Sequence, residues 1–203
     1  MRLLIVFSTA AALALVVAPA AAQSSDPNVR TCEDKSGAEA IAGCTAAIAS
    51  NKLSPKNLAV TLTNRGAEYV HLNSYARAIV DFNEAVRLDP KSEVAFLNRG
   101  NAYFFQKDYA HAMADFNRAI GLNGQFSMAF SNRGQVYFMQ GRYVRALADL
   151  NEAIRLNPKN ADPLYARGLV KAKLGNSAGS KIDLASALAL NPAIKKQFEY
   201  LKK

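Results

Sequence analysis

Few residues of this chain are of a type and spacing that could do chemistry. Cys32 and Cys44 stand close together near the start, while His71 and His111 lie far from them. A zinc site needs four ligands held together, and this spacing does not supply them. In an oxidising compartment two such cysteines default to a disulfide. Closing so short a loop contributes roughly 2–3 kcal/mol. The sequence holds no Gly-rich phosphate loop, no G-x-S-x-G, no paired-His metal motif and no Cys–His couple in a plausible context. The two histidines read as surface residues. The chain reads as a non-enzyme with no cofactor and no metal.

The polar residues that recur are of another kind. Arg65, Arg99, Arg133 and Arg167 each precede a glycine, and Asp81, Asp115, Asp149 and Asp183 recur at the same interval. Asn64, Asn98 and Asn132 form a third row. Side-chain amides both donate and accept hydrogen bonds.

The stretch Phe130–Asn160 shows which elements must position these rows. It carries two amphipathic helical patterns joined at Gly141 and stopped by Pro158. Small residues at Gly134 and Ala146 let two helix backbones approach closely. Tyr137 and Leu150 fill the space beside that contact. The pattern recurs about every 34 residues, the period of a helix–turn–helix array. Residues 59–92 carry Leu62, Gly66, Tyr69, Ala78, Phe82, Ala85 and Pro90. Residues 93–126 carry Phe96, Gly100, Tyr103, Ala112, Phe116 and Ala119, with Gly124 in place of the proline. Residues 127–160 are the stretch just described. Residues 161–194 carry Leu164, Gly168, Leu184, Ala187 and Pro192, but Lys171 replaces the aromatic and Ser180 the alanine. A terminal unit that faces water is expected to look like this.

Ahead of these units, residues 23–58 read as an incomplete leading repeat, its packing supplemented by a disulfide that ties it to its neighbour. Ser36 and Glu39 suggest a capping box, and Ser54-Pro55 a helix start. Residues 195–203, with Phe198 and Leu201, read as a short capping helix.

Residues 1–22 form a different pattern. Arg2, an apolar run from Leu3 to Val17 and an A-x-A ending read as a secretory signal peptide, cleaved after Ala22. The run is shorter than the roughly 20 apolar residues of a membrane span, and no later segment is apolar enough. The mature chain is therefore expected to be exported, with the periplasm as its place. The net charge of +9 is scattered. That pattern argues against nucleic acid as a partner, and leaves acidic proteins, anionic glycans and membrane surfaces.

The Gly–aromatic–small–bulky–small–Pro spacing resembles the tetratricopeptide repeat family over roughly residues 59–194. The usual tryptophan is replaced by Leu62, Phe96, Phe130 and Leu164. The resemblance implies an all-α fold, an α-solenoid of tandem antiparallel helix pairs wound into a right-handed superhelix. It also implies a concave groove, lined by the first helix of each pair, that binds peptide segments. On that geometry the groove residues are Asn64, Leu97, Asn98, Asn101, Phe105, Met128, Asn132, Gln135, Met139 and Tyr165. Val60, Thr63, Ala67, Val94, Ser131, Asp162 and Leu169 share the same faces, and Phe104 and Phe138 are either groove or core. The asparagines would hold an extended peptide backbone or satisfy polar atoms between helices. The arginine row points away from the groove at about 100° per residue, so Arg–Asp ion pairs or Arg–backbone contacts bracing the helices are expected rather than an anion-binding ladder. One subclass of the family grips a C-terminal carboxylate with a Lys/Asn/Arg clamp. Here Thr63 and Ala67 stand at two of its places and only Asn98 matches.

The function expected is that of an exported adaptor that binds a peptide segment of a partner protein. The alternatives are a scaffold in envelope polysaccharide or cell-wall machinery acting through a basic surface, and a self-associating structural protein or homo-oligomer.

Overall fold

The computed structural model describes residues 26–199. The apolar leader, its expected cleavage point and Leu201 lie outside the described residues. Among the described residues all regular elements are helices, and no helix is long and apolar enough to cross a membrane. The fold class is an all-α solenoid of tandem helix pairs. The chain forms two compact units, one ending at Leu122 and the other beginning at Asn123.

The first unit contains α1 (Pro27–Asp34), α2 (Gly37–Ala49), α3 (Pro55–His71), α4 (Tyr75–Leu88), α5 (Glu93–Phe105) and α6 (Tyr109–Leu122). Each odd-numbered helix folds back on the even-numbered one after it, and α3 touches both α1 and α5. Local chemistry starts several of these helices. The Asp26 carboxylate accepts from the Asn28 N–H at 2.8 Å. The Ser54 hydroxyl accepts from the Asn57 N–H at 3.3 Å, with Pro55 first in the helix. The Ser92 hydroxyl accepts from the Ala95 N–H at 3.2 Å.

The capping box expected at Ser36 does not form, since Ser36 makes no side-chain cap bond. Instead the Gly37 N–H donates to the Glu68 carboxylate of α3 at 2.7 Å. A carboxylate from the next pair thus meets the orphan donors and positive end of α2. The Cys32–Cys44 disulfide lies inside the leading pair and joins α1 to α2. It does not tie that pair to its neighbour, as expected from the sequence; Glu68 makes that connection.

Within each full pair the closest approach is at a glycine. A Cβ at Gly66 would sit 2.6 Å from the Phe82 ring, and one at Gly100 would sit 2.7 Å from the Phe116 ring. Both rings are fully buried. The turn that follows each first helix needs a left-handed residue: φ is +57° at Asn73, +64° at Lys107, +70° at Gly141 and +79° at Gly175. Lys107 adopts that conformation at a cost of about 1 kcal/mol.

The second unit contains α7 (Ser127–Met139), α8 (Tyr143–Leu156), α9 (Ala161–Lys173), α10 (Ser177–Leu190) and the single turn α11 (Ile194–Gln197). Leu150 and Leu184 fill the space beside Gly134 and Gly168. The last pair differs from expectation. Ser180 does not face water but is buried at the small-residue contact. Lys171 reaches the Asp183 carboxylate at 2.9 Å. It is the outer side of α10 that is open, and it carries Ile182, Leu188 and Leu190. Ile194 and Phe198 are fully buried, with the Phe198 ring 5.0 Å from that of Tyr165.

An arginine braces each full pair. Two N–H groups of Arg65 reach both Asp81 oxygens at 2.8 Å. Arg99 holds Asp115 at 2.8 and 2.7 Å, Arg133 holds Asp149 at 2.8 Å, and Arg167 holds Asp183 at 2.7 Å. A further N–H crosses to the preceding pair. Arg65 donates to Thr45 at 3.1 Å, Arg99 to Asn83 at 2.9 Å and Arg167 to Asn151 at 2.8 Å. One guanidinium therefore links three helices.

The carboxylates show what this costs. Burial pushes the Asp115 carboxyl above its usual value, although Arg99 pulls it down. Asp183 is also raised by burial, but Arg167 and Lys171 together take it below the usual value. The hydrogen bond to Asp115 in turn raises Arg99. With matched bidentate distances on both sides, the Arg99–Asp115 pair is ionic at neutral pH.

Three outcomes follow. Asp115→Ala leaves a half-buried guanidinium unpaired and should destabilise by about 3 kcal/mol in urea unfolding. Combining it with Arg99→Met should recover most of the loss; an unchanged midpoint for Asp115→Ala would contradict the bracing role. Burial raises the Glu68 pKa, but hydrogen bonds from His71 and Gly37 outweigh it and leave a net depression. A depressed carboxyl contributes stability above its unfolded pKa of about 4.3 and loses it as pH falls through the folded value. Hydrogen-exchange protection of α1 and α2 should therefore fall in acid, and Glu68→Gln should remove that pH dependence. Replacing both cysteines by alanine should lower the same protection by about 2–3 kcal/mol and leave α5 and α6 unaffected.

Candidate functional site

The side chains gathered on the first-helix faces are amides, hydroxyls and soft apolar groups. Among the described residues no three of His, Cys, Asp and Glu come together as a metal site would require. His111 stacks 4.9 Å from the Tyr103 ring and lies 2.7 Å from the Asp108 carboxylate. His71 sits beside Glu68 at 3.7 Å.

In the first unit the face is built by α3 and α5. Asn64 is only 5 % exposed, and its Oδ1 has no hydrogen-bond partner. Its neighbour Thr63 is satisfied within the helix, donating to the Ala59 carbonyl at 2.8 Å. Leu97, Asn98 and Asn101 are all fully buried. Phe104 is buried and belongs to the core, its ring 5.8 Å from that of Tyr109. Phe105 stays partly exposed. One face of its ring stacks on Tyr75 at 5.5 Å, and it packs against the cluster of Val70, Ala78 and Phe82.

In the second unit the face is built by α7 and α9. Met128 and Met139 remain partly exposed, while Asn132 and Gln135 are buried. Ser131 is 2 % exposed, and its hydroxyl oxygen has no hydrogen-bond partner. Phe138 is buried beside Tyr143, with ring centres 5.7 Å apart. Tyr165 is covered where an open groove residue was expected. Phe198 packs on it, because the C-terminal turn closes the end of the array.

The Arg–Asn links were legible in principle, since Asn83 and Asn151 stand 16 residues before Arg99 and Arg167. The contact between Glu68 and Gly37 leaves no such signal, because it occurs once.

Residues 66–107 and 134–175 match a family model described as TPR repeat, and residues 94–126 match one described as Tetratricopeptide repeat. Together they cover just over half of the chain. Among solved structures the chain is similar to MamA, at 24 % identity and a TM-score of 0.63 over 78 % of this chain and 90 % of that one. It is similar to the first TPR of Spaghetti (RPAP3) bound to the HSP90 peptide SRMEEVD, at 28 % identity and a TM-score of 0.57 over 59 % and 95 % of the two chains. It is also similar to the second TPR domain of human RPAP3 in complex with the HSP70 peptide SGPTIEEVD, at 27 % identity and a TM-score of 0.55 over 58 % and 98 %. No curated protein matches the sequence. With its recurring glycine contacts, its paired helices and these matches, the chain belongs to the tetratricopeptide repeat family.

Proposed function

We propose that this chain is an exported adaptor that binds an extended segment of a partner protein against the faces of its first helices. The observation that carries this reading is that each unit leaves apolar first-helix side chains partly exposed, Phe105 in the first and Met128 and Met139 in the second. The two RPAP3 domains are similar to this chain and hold peptides. The peptide here differs from an acidic tail held by a basic clamp, because the Thr63 hydroxyl is spent on Ala59 and Ala67 has no polar group.

Phe105 on the first unit, and Met128 and Met139 on the second, are the apolar groups that a segment would cover there. Burying such side chains contributes roughly 1.5–3 kcal/mol each, and ordering the segment offsets much of that. Binding in the micromolar range, about −8 kcal/mol, is the result. Export is supported by the leader pattern and by the Cys32–Cys44 disulfide, since such bonds persist in oxidising compartments. The periplasm fits both.

A second reading rests on arginines that flank exposed-side aromatics. Arg77 lies 5.9 Å from the Tyr69 ring, and Arg142 and Arg145 lie 5.2 and 5.9 Å from that of Tyr137. Such pairs would suit anionic glycans and the envelope-scaffold role.

Peptides selected by display on the mature chain separate the two readings. Phe105→Glu or Met139→Glu should weaken the selected peptides at least ten-fold while helicity by circular dichroism stays unchanged. Undiminished binding in both variants, or binding abolished by about 0.5 M salt, would turn the assignment toward the arginine surface.

A further inference from the structure

One carboxylate in the second unit is not accounted for. At the repeat interval, Val60, Val94, Met128 and Asp162 occupy the same place, so an acid stands where the other units are apolar. Asp162 is in the first turn of α9. Its backbone N–H donates to the Asn160 side chain at 3.0 Å. Its carboxylate has no hydrogen bond or ion pair among the described residues. By contrast, Asp149 and Asp183 in the same unit are each gripped by an arginine. Asp162 keeps part of its surface exposed, yet the desolvation it does undergo pushes its pKa up to about 6.

A helix N-terminus accounts for an acid here only in part. The dipole contributes about 0.3–1 kcal/mol, and an exposed carboxylate would gain as much. Desolvating an unpaired one is costly. The helix beside it, α7, touches α9, and Met128 stands on it at the corresponding place of its repeat, partly exposed.

We infer that Asp162 is the specificity residue of this face and pairs with a lysine or arginine side chain of the bound segment. The aliphatic stem of that side chain lies along the partly exposed Met128. The inference rests on the peptide-binding reading and narrows it: the favoured segment is basic, the opposite of an acidic tail.

A randomised heptapeptide display library is the probe, selected in parallel on the mature wild-type chain, on Asp162→Asn and on Asp162→Lys, each checked for an unchanged thermal melt. Wild type should enrich lysine or arginine at one peptide position. Norleucine at that position in a synthetic peptide should weaken binding about ten-fold or more. Asp162→Asn should lose the enrichment, and Asp162→Lys should shift it to aspartate or glutamate. Wild-type binders with no basic preference, or the same preference in Asp162→Asn, would overturn the assignment of Asp162 while leaving peptide binding intact. Failure of wild type to select any peptide would overturn both.

Discussion

Two helices of this chain can close on each other only where one of them lacks a Cβ. At Gly66, Gly100, Gly134 and Gly168 an added methyl would meet a side chain of the partner helix at 2.9 Å or less. Ala78, Ala112 and Ala146 lie fully buried in the facing helices. Because interiors are packed to crystal-like density, that approach sets the distance and tilt of each pair. The phenylalanine or leucine beside the glycine then has one place to go. The left-handed turn after each first helix follows from the same closeness, and even Lys107 is held there.

Close backbones leave little room for polar groups between the helices, and the arginine network uses most of it. Each guanidinium meets a carboxylate of its own pair, and Arg65, Arg99 and Arg167 also reach an acceptor of the preceding pair. Buried ion pairs add little net stability, but they penalise any shift that separates them. The arginines and aspartates on this side are committed to one another. Polar groups left without a partner therefore stand out, and Asn64, Ser131 and Asp162 all belong to first helices.

Much of this was legible because repetition exposes constraint. A glycine that returns every 34 residues, with an aromatic three places on, marks a backbone contact wherever it occurs. Arg65 to Arg167 and Asp81 to Asp183 were legible for the same reason. What happens once was not. Glu68 capping α2 depends on a long-range approach that no local pattern encodes. Ser180 looked like a water-facing substitution, but its small size matters more at that contact than its hydroxyl. Tyr165 had the register of a groove residue, and only the fold of the C-terminal turn brings Phe198 over it. Leu97, Phe104 and Phe138 show a further limit: helical register assigns a face, but depth on that face depends on the neighbours.

The account stands most directly on where a bound segment touches the chain. Nitrogen-labelled spectra resolve the side-chain amides of Asn64, Asn98, Asn101, Asn132 and Gln135 as separate signals. Titration with a selected peptide should move the amides and backbone signals of the first helices of the unit that binds it, α3 and α5 or α7 and α9, leaving the second helices unchanged. Perturbations confined to Arg77, Arg142 and Arg145, with the first-helix amides still, would contradict it.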